Sequence, residues 1–276
     1  MKTGRKLGAW SSFACRPLIQ GLTDQSMFVV DVDAPAPTAF KLRDNDLEIG
    51  FLSPIDYAKD SSHLVIVPEV ALWSESGAMV STIHFRTGLH DVATLAVDPS
   101  SASEVILAKI VLEEEFDIAP QIVPVSGDLE KMLERADAAL LVGDAALRET
   151  ARHGDALDLV ETWVQMTSLP YIHGFWCARE GSIDAHAVEV LQRAKREGMD
   201  SFPLIAAESA AKREFPGLSQ DDLISYLDQF SLNFPEEAIE GLKEFHHYAF
   251  YHGVLADIPE IHLYTPGDDA DGEEEE

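Results

Sequence analysis

Basic residues are scarce in this sequence. Nine lysines and eleven arginines stand against 49 aspartates and glutamates, a formal net charge of −29. That balance argues against nucleic acid or an anionic membrane as partner, because both require a positive face. Cysteine is nearly absent as well. Cys15 and Cys177 offer neither a metal-ligand spacing nor a disulfide framework, and they are expected to be reduced, buried packing residues. No apolar run is long enough for a membrane span, and the opening MKTGRKLGAWSSFACRPL lacks the apolar stretch of a secretory signal, so a cytoplasmic protein is expected. No GxGxxG follows a strand, and P-loop and GxSxG patterns are missing, which leaves nucleotide-binding and serine-hydrolase readings without support.

What remains is an ordinary globular composition. With 276 residues and 46% hydrophobic content, the chain can bury a full core as one large domain or two modest ones. Its acidic, lysine-poor surface is the kind a salt-loaded, halophilic cytoplasm favours, since dense salt screens the self-repulsion that destabilises a compact state.

Along the chain, strand and helix patterns alternate as in α/β units. KLGAW reads as a strand, followed by a helix through PLIQGL with Pro17 at a favoured first position. AFKLR reads as a strand, DNDLEIGFLSPIDYAKD as strand, loop and helix, HLVIVPEVAL as a strand, and VSTIHF as the strand closing the first lobe. The pattern restarts at TLAVDPSSASEVILAKIVLEEEF, a strand, polar turn and long helix, and continues with strand QIVPV, helix DLEKMLER, strand DAALLVG and a turn at Asp144. YIHGFWCAR is expected to end this second sheet. Helical spacing then dominates from Ser182 onward, and those helices are expected to pack back on the first lobe. This predicts a two-lobed α/β fold with a ligand cleft: lobe I from residues 1–87 plus 177–266, lobe II from 88–176, with crossings near 85–90 and 173–178. The closing GDDADGEEEE, residues 267–276, has nothing apolar to bury and is expected to be a disordered tail.

Open α/β sheets bind ligands beyond the carboxyl ends of their strands. Four hydroxyl-rich loops fit that place: Ser11 to Cys15, Ser53-Pro54, Gly77 to Ser81, and Asp98 to Ser103. Ser101 and Glu104 have capping-box spacing. The spacing suits a plain helix cap, and equally a pair of hydroxyls, on Ser101 and Ser103, facing an anion. Arg16 is one of few basic residues near these loops. Among ten histidines, His246, His247 and His252 carry no metal signature, since neighbouring helical positions diverge by about 100°; His173, in the second crossing, could be a packing or a site residue.

Particular strings look like a known family. GAWSSFACRPLIQGL, SPIDYA, GAMVSTIHF, DPSSAS, DAALLVGDAAL and LDLVETWVQMTSLPYIHGFWCAR occur in the order of the motifs of the chorismate dehydratases of the futalosine route to menaquinone, over roughly residues 5–180. The resemblance implies a type II periplasmic-binding-protein-like fold. It also implies a cofactor-independent hydro-lyase that takes the small anion chorismate, needs no metal, and yields 3-[(1-carboxyvinyl)oxy]benzoate. It places Ser81 in catalysis, and Ser101, Ser103, Asp144, Tyr171 and His173 at the substrate, with Ala14 at a substrate-contacting position; Ser11, Ser12 and Ser53 join them as candidates from the hydroxyl-rich loops. Ala14 stands where the family reads asparagine, Val80 where it reads glycine, and His173 where it reads another aromatic ring. These departures keep a second reading open, a binding protein for another small cyclic carboxylate, and a related naphthoate synthase of the same pathway is a third.

Overall fold

The computed structural model describes residues 4–22, 27–75, 79–150 and 156–266. Residues 267–276, expected as a tail, lie outside them, as does Gly77 of the third loop. Among the described residues two five-stranded sheets form. The first holds β1 (Arg5–Trp10), β2 (Phe28–Asp33), β3 (Ile49–Leu52), β4 (Leu64–Ser74) and β10 (Tyr171–Arg179), in spatial order β2-β1-β3-β10-β4. The second holds β5 (Ser81–Phe85), β6 (Thr94–Val97), β7 (Gln121–Pro124), β8 (Ala138–Val142) and β9 (Ala156–Asp158), in order β7-β6-β8-β5-β9.

The two sheets share one plan. Each has four strands running one way and, in the fourth position, one antiparallel strand that has just arrived from the other sheet: β10 between β3 and β4, β5 between β8 and β9. Both sheets are therefore mixed, and the chain joins them twice.

Three expectations are corrected by this plan. VSTIHF is a strand, β5, but it pairs with β8 from Ser81↔Val142 to Phe85↔Ala138, so the first crossing lies between Ser74 and Ser81, not near 85–90. YIHGFWCAR is β10 of the first sheet, so the return runs between Asp158 and Tyr171 through α7 (Leu159–Thr167), ahead of 173–178. A strand's alternating pattern fixes which face is buried and leaves its partner unspecified, which is why the boundaries shifted. The third correction is AFKLR. It is the end of a helix, α2 (Pro35–Arg43), which buries Ala39 and Leu42 three residues apart while Phe40 points outward; Pro35 at its start pre-sets the first turn. The strand lies earlier, in β2, paired in parallel with β1 from Arg5↔Phe28 to Trp10↔Asp33.

The remaining helices are α1 (Arg16–Gln20), α3 (Pro54–Ala58), α4 (Ala102–Phe116), α5 (Leu129–Leu133), α6 (Asp144–Thr150), α8 (Ala185–Asp200), α9 (Phe202–Lys212), α10 (Gln220–Leu227) and α11 (Glu236–Tyr251). The turn expected at Asp144 is the first residue of α6. As expected, helices after Ser182 cover the first lobe: α8 lies on α1 and β4, and α11 on β10 and α3. The α1–α8 crossing is close because residue 198 is glycine; a Cβ there would come within 1.7 Å of the Pro17 carbonyl oxygen. Edge-to-face rings of Trp163, Tyr171 and Phe245 tie α7, β10 and α11 together, each such pair contributing about 0.5–1.5 kcal/mol beyond burial.

Candidate functional site

The carboxyl ends of β1, β6 and β8 converge on one cavity of about 220 Å3 between the sheets. That is below the ~300 Å3 usual for drug-sized pockets, so it limits the occupant to a small molecule. Trp10, Ser11, Ser12 and Ala14 line it from the first lobe; Ser100, Ser101, Glu104, Val142, Gly143 and Asp144 from the second; His173 comes from the returning strand β10. The β8–α6 turn passes through Gly143 at φ 59°, a conformation that glycine adopts without cost. This turn brings Asp144 over the cleft, where its Oδ1 accepts the Phe13 amide proton at 2.7 Å. Burial pushes the Asp144 carboxyl above its ordinary range, opposed by the Phe13 bond and by Arg148 and Arg16.

The structure separates the residues singled out from sequence. Ser11 is at the exposed mouth, its amide bonded to the Asp33 carbonyl at 2.9 Å. Ser12 precedes the short 3-10 turn Phe13–Cys15 without capping it, and Ala14 is buried in the wall. Ser101 occupies the N-cap position of α4, yet the capping box with Glu104 does not form: its φ of −106° and ψ of 58° depart from the extended backbone that lets a capping hydroxyl reach forward. Asp98 closes the turn instead, accepting from the Ser100 amide and hydroxyl at 2.9 and 2.7 Å.

Ser53 and Ser103 are not among the lining residues. The Ser53 hydroxyl caps α3, accepting from the Asp56 amide and donating to its Oδ2, and Ser103 Oγ accepts from the Ile55 amide at 3.0 Å, fastening α4 to α3. Ser81 and Tyr171 are also outside the lining, but both are fully buried with hydroxyls that have no partner among the described residues. His173 hydrogen-bonds Ser74 through Nε2 at 2.9 Å and packs edge-on against Tyr171 and Phe230. Burial pulls its pKa down to about 3, so the imidazole is neutral. Arg16 turns away to pair with Glu214 at 2.7 Å and to bond Ser209.

Two cavity groups escaped sequence reasoning. The Trp10 indole N–H is buried and has no acceptor among the described residues. Glu104 is 6% exposed, and burial, opposed by a hydrogen bond from its own backbone amide and aided by a smaller push from Asp56, raises its carboxyl to about 7. The clue was periodicity: Glu104, Leu107, Ala108 and Val111 are all buried and share one face of α4. Elsewhere, His246 bonds the Pro54 carbonyl, while His247 and His252 pair with Glu244 and with Glu113 and Glu114. Among the described residues no group of three or more His, Cys, Asp or Glu is arranged to hold a metal, and no helix is long and apolar enough to cross a membrane. Both cysteines are buried, and burial pushes the Cys15 thiol up to about 12, which leaves it unreactive.

Known proteins share this architecture. The chain is similar in structure to a protein of Archaeoglobus fulgidus (TM-score 0.71, 16% identity, 92% of this chain and 99% of that one). It is also similar to the aliphatic sulphonate binding protein SsuA of Escherichia coli (TM-score 0.64, 12% identity, 100% and 96%). A Candida albicans gene product with the generic periplasmic binding protein fold aligns with a TM-score of 0.64 at 12% identity, over 96% and 99%. The fold is thus periplasmic-binding-protein-like, two lobes closing on a cleft. In sequence the chain is 29% identical over 230 residues, 76% of its length and 83% of the relative's, to the chorismate dehydratase of Thermus thermophilus. The pattern defining a family described as menaquinone biosynthesis matches residues 5–251, well past the 5–180 span carried by the sequence motifs. On that match over most of its length, the chain belongs to the menaquinone biosynthesis family.

Proposed function

We propose that this chain is a cytoplasmic chorismate dehydratase that releases water from chorismate to give 3-[(1-carboxyvinyl)oxy]benzoate, without metal or organic cofactor. The observation that carries the reading is the character of the cleft: a small cavity lined by serine hydroxyls, an indole N–H, two carboxyls and the first turn of a helix, without a lysine or arginine among its lining residues. The ring hydrogen on the ether-bearing carbon leaves as a proton, the neighbouring hydroxyl leaves as water, and the ring becomes aromatic. Aromatisation supplies most of the driving force, so the protein's task is to hold two carboxylates, orient the leaving hydroxyl and keep out bulk water.

In this reading Ser12, Ser101 and the Trp10 indole donate to the substrate carboxylates, and the α4 N-terminus adds its unpaired amides. Ser81 and Tyr171 offer their unpartnered hydroxyls near the reacting ring. Asp144 holds the Phe13 amide and so places the first loop, and neutral His173 forms an uncharged wall. A carboxylate of the substrate takes the ring proton.

Ala14 favours a second reading. Its methyl group lies in the wall where the family's asparagine would supply an amide, and losing one transition-state donor can cost on the order of 10²-fold or more in rate. The same cleft would then serve a binder of another small cyclic carboxylate. Incubation of the purified chain with chorismate, followed by chromatography for the enolpyruvyl-benzoate product, separates the two: product supports the dehydratase, and tight binding without turnover supports the binder.

A further inference from the structure

We propose that Glu104 binds the ligand of this cleft as a neutral acid, donating its carboxyl proton in a hydrogen bond to a ligand carboxylate, so that anion binding is coupled to holding that proton. The inference rests on the reading that the cleft takes a small cyclic carboxylate, and it explains how so acidic a cavity could do so. Glu104 lies in the first turn of α4, lines the cavity and is almost fully buried.

Among the described residues no cation compensates it. From α3 the facing charge is Asp56, itself tied to Ser53 and to Lys59 at 3.3 Å. From β10 come Tyr171, uncharged, and His173, neutral through burial. From α6 comes the second cavity carboxyl, Asp144. On α7 the acidic group, Glu161, is exposed. On α11, His246 is bonded to Pro54 and held neutral by burial, with a pKa near 4. His252 pairs with Glu113 and Glu114 at the far end of α4, about 14 Å along the helix axis. Lys109 on α4 itself is rotated about 140° from Glu104.

An ionised Glu104, supported only by its own backbone amide, would therefore face an incoming carboxylate with no cation to offset the repulsion, in surroundings where water screens poorly. Protonation removes the repulsion and creates a donor at the same point. A carboxylate in the cleft disfavours the ionised form further, so binding stabilises the proton. The hydrogen bond formed is of the strong, charge-assisted kind.

Isothermal titration calorimetry of the full chain with 3-[(1-carboxyvinyl)oxy]benzoate, which carries both carboxylates and is not consumed, tests this, at pH 6, 7.5 and 9, in buffers of differing ionisation enthalpy. Molar potassium chloride cuts the Debye length to about 3 Å, so the slope reports the cleft and not the surface charge. The wild-type chain is expected to take up close to one proton per ligand bound at pH 9, with Kd weakening towards about tenfold per pH unit at the alkaline end. Glu104→Gln, which keeps a neutral donor at every pH, is expected to bind with no proton uptake and a flat Kd, tighter than wild type at pH 9. Wild-type binding without proton uptake overturns the role of Glu104 and leaves the dehydratase reading standing, as does an unchanged slope in Glu104→Gln. Failure of the wild type to bind the titrated ligand at any pH, together with no conversion of chorismate, overturns both. The wild-type proton count requires no variant, so the test holds even if Glu104→Gln does not fold.

Discussion

Carboxylates on the surface and in the cleft behave in opposite ways. On the surface, Asp33, Asp137 and Asp222 are held below the usual carboxylate range, chiefly by hydrogen bonds from Lys41, Thr94 and Ser219. Around the cleft, Glu104, Asp144 and Asp158 are pushed up by burial. The same side-chain chemistry thus supplies permanent charge outside and an adjustable proton inside, and environment alone decides which. The acid excess that dominates the composition is a matter of solvent; the few acids that matter for chemistry are those removed from it.

Replacing Glu104 should disturb this contrast most. Its folded pKa of about 7 lies above the unfolded value, so its favourable contribution is complete below the unfolded pKa and is lost as pH rises through about 7. Glu104→Gln does not titrate. Between pH 5 and pH 8 its stability should rise relative to wild type by about 3 kcal/mol, read by urea unfolding of both chains in molar salt. A constant difference across that range would mean the carboxyl is solvated in the folded state.

Asp144→Ala should come next. It removes the acceptor of the Phe13 amide across the cleft, and a loop displaced by about 1 Å can cost on the order of 10²-fold in turnover. Steady-state kinetics on chorismate measure this; an unchanged kcat/KM would show that the cross-cleft bond does not place the loop. A smaller effect is expected from the surface. Raising potassium chloride from 0.1 M to 2 M at neutral pH should lift Tm by about 5 °C, the equivalent of roughly 2 kcal/mol for a chain of this size. A flat or falling Tm would rule out a salt-adapted surface.

Much of this contrast was legible in the sequence only on its outer side. The β1–α1 and β6–α4 units could be read because a short apolar run, hydroxyl residues and a helix-starting proline or serine fall within one local window. Partner choice could not: β5 and β10 have ordinary strand patterns, and only three-dimensional pairing shows that each is inserted into the sheet it does not follow in sequence. In the site, the resemblance pointed to the loops that close on the cavity, yet Ser53 and Ser103 turn their hydroxyls to neighbouring helices. Glu104 was read as half of a capping box because spacing reports position on a helix and not the burial that raises a pKa.

Turnover of chorismate is the most direct test of the central claim. The purified chain in molar potassium chloride, incubated with chorismate and resolved by chromatography, is expected to yield 3-[(1-carboxyvinyl)oxy]benzoate in proportion to enzyme and time, with no added metal or cofactor. Chorismate recovered intact at saturating enzyme would contradict the account.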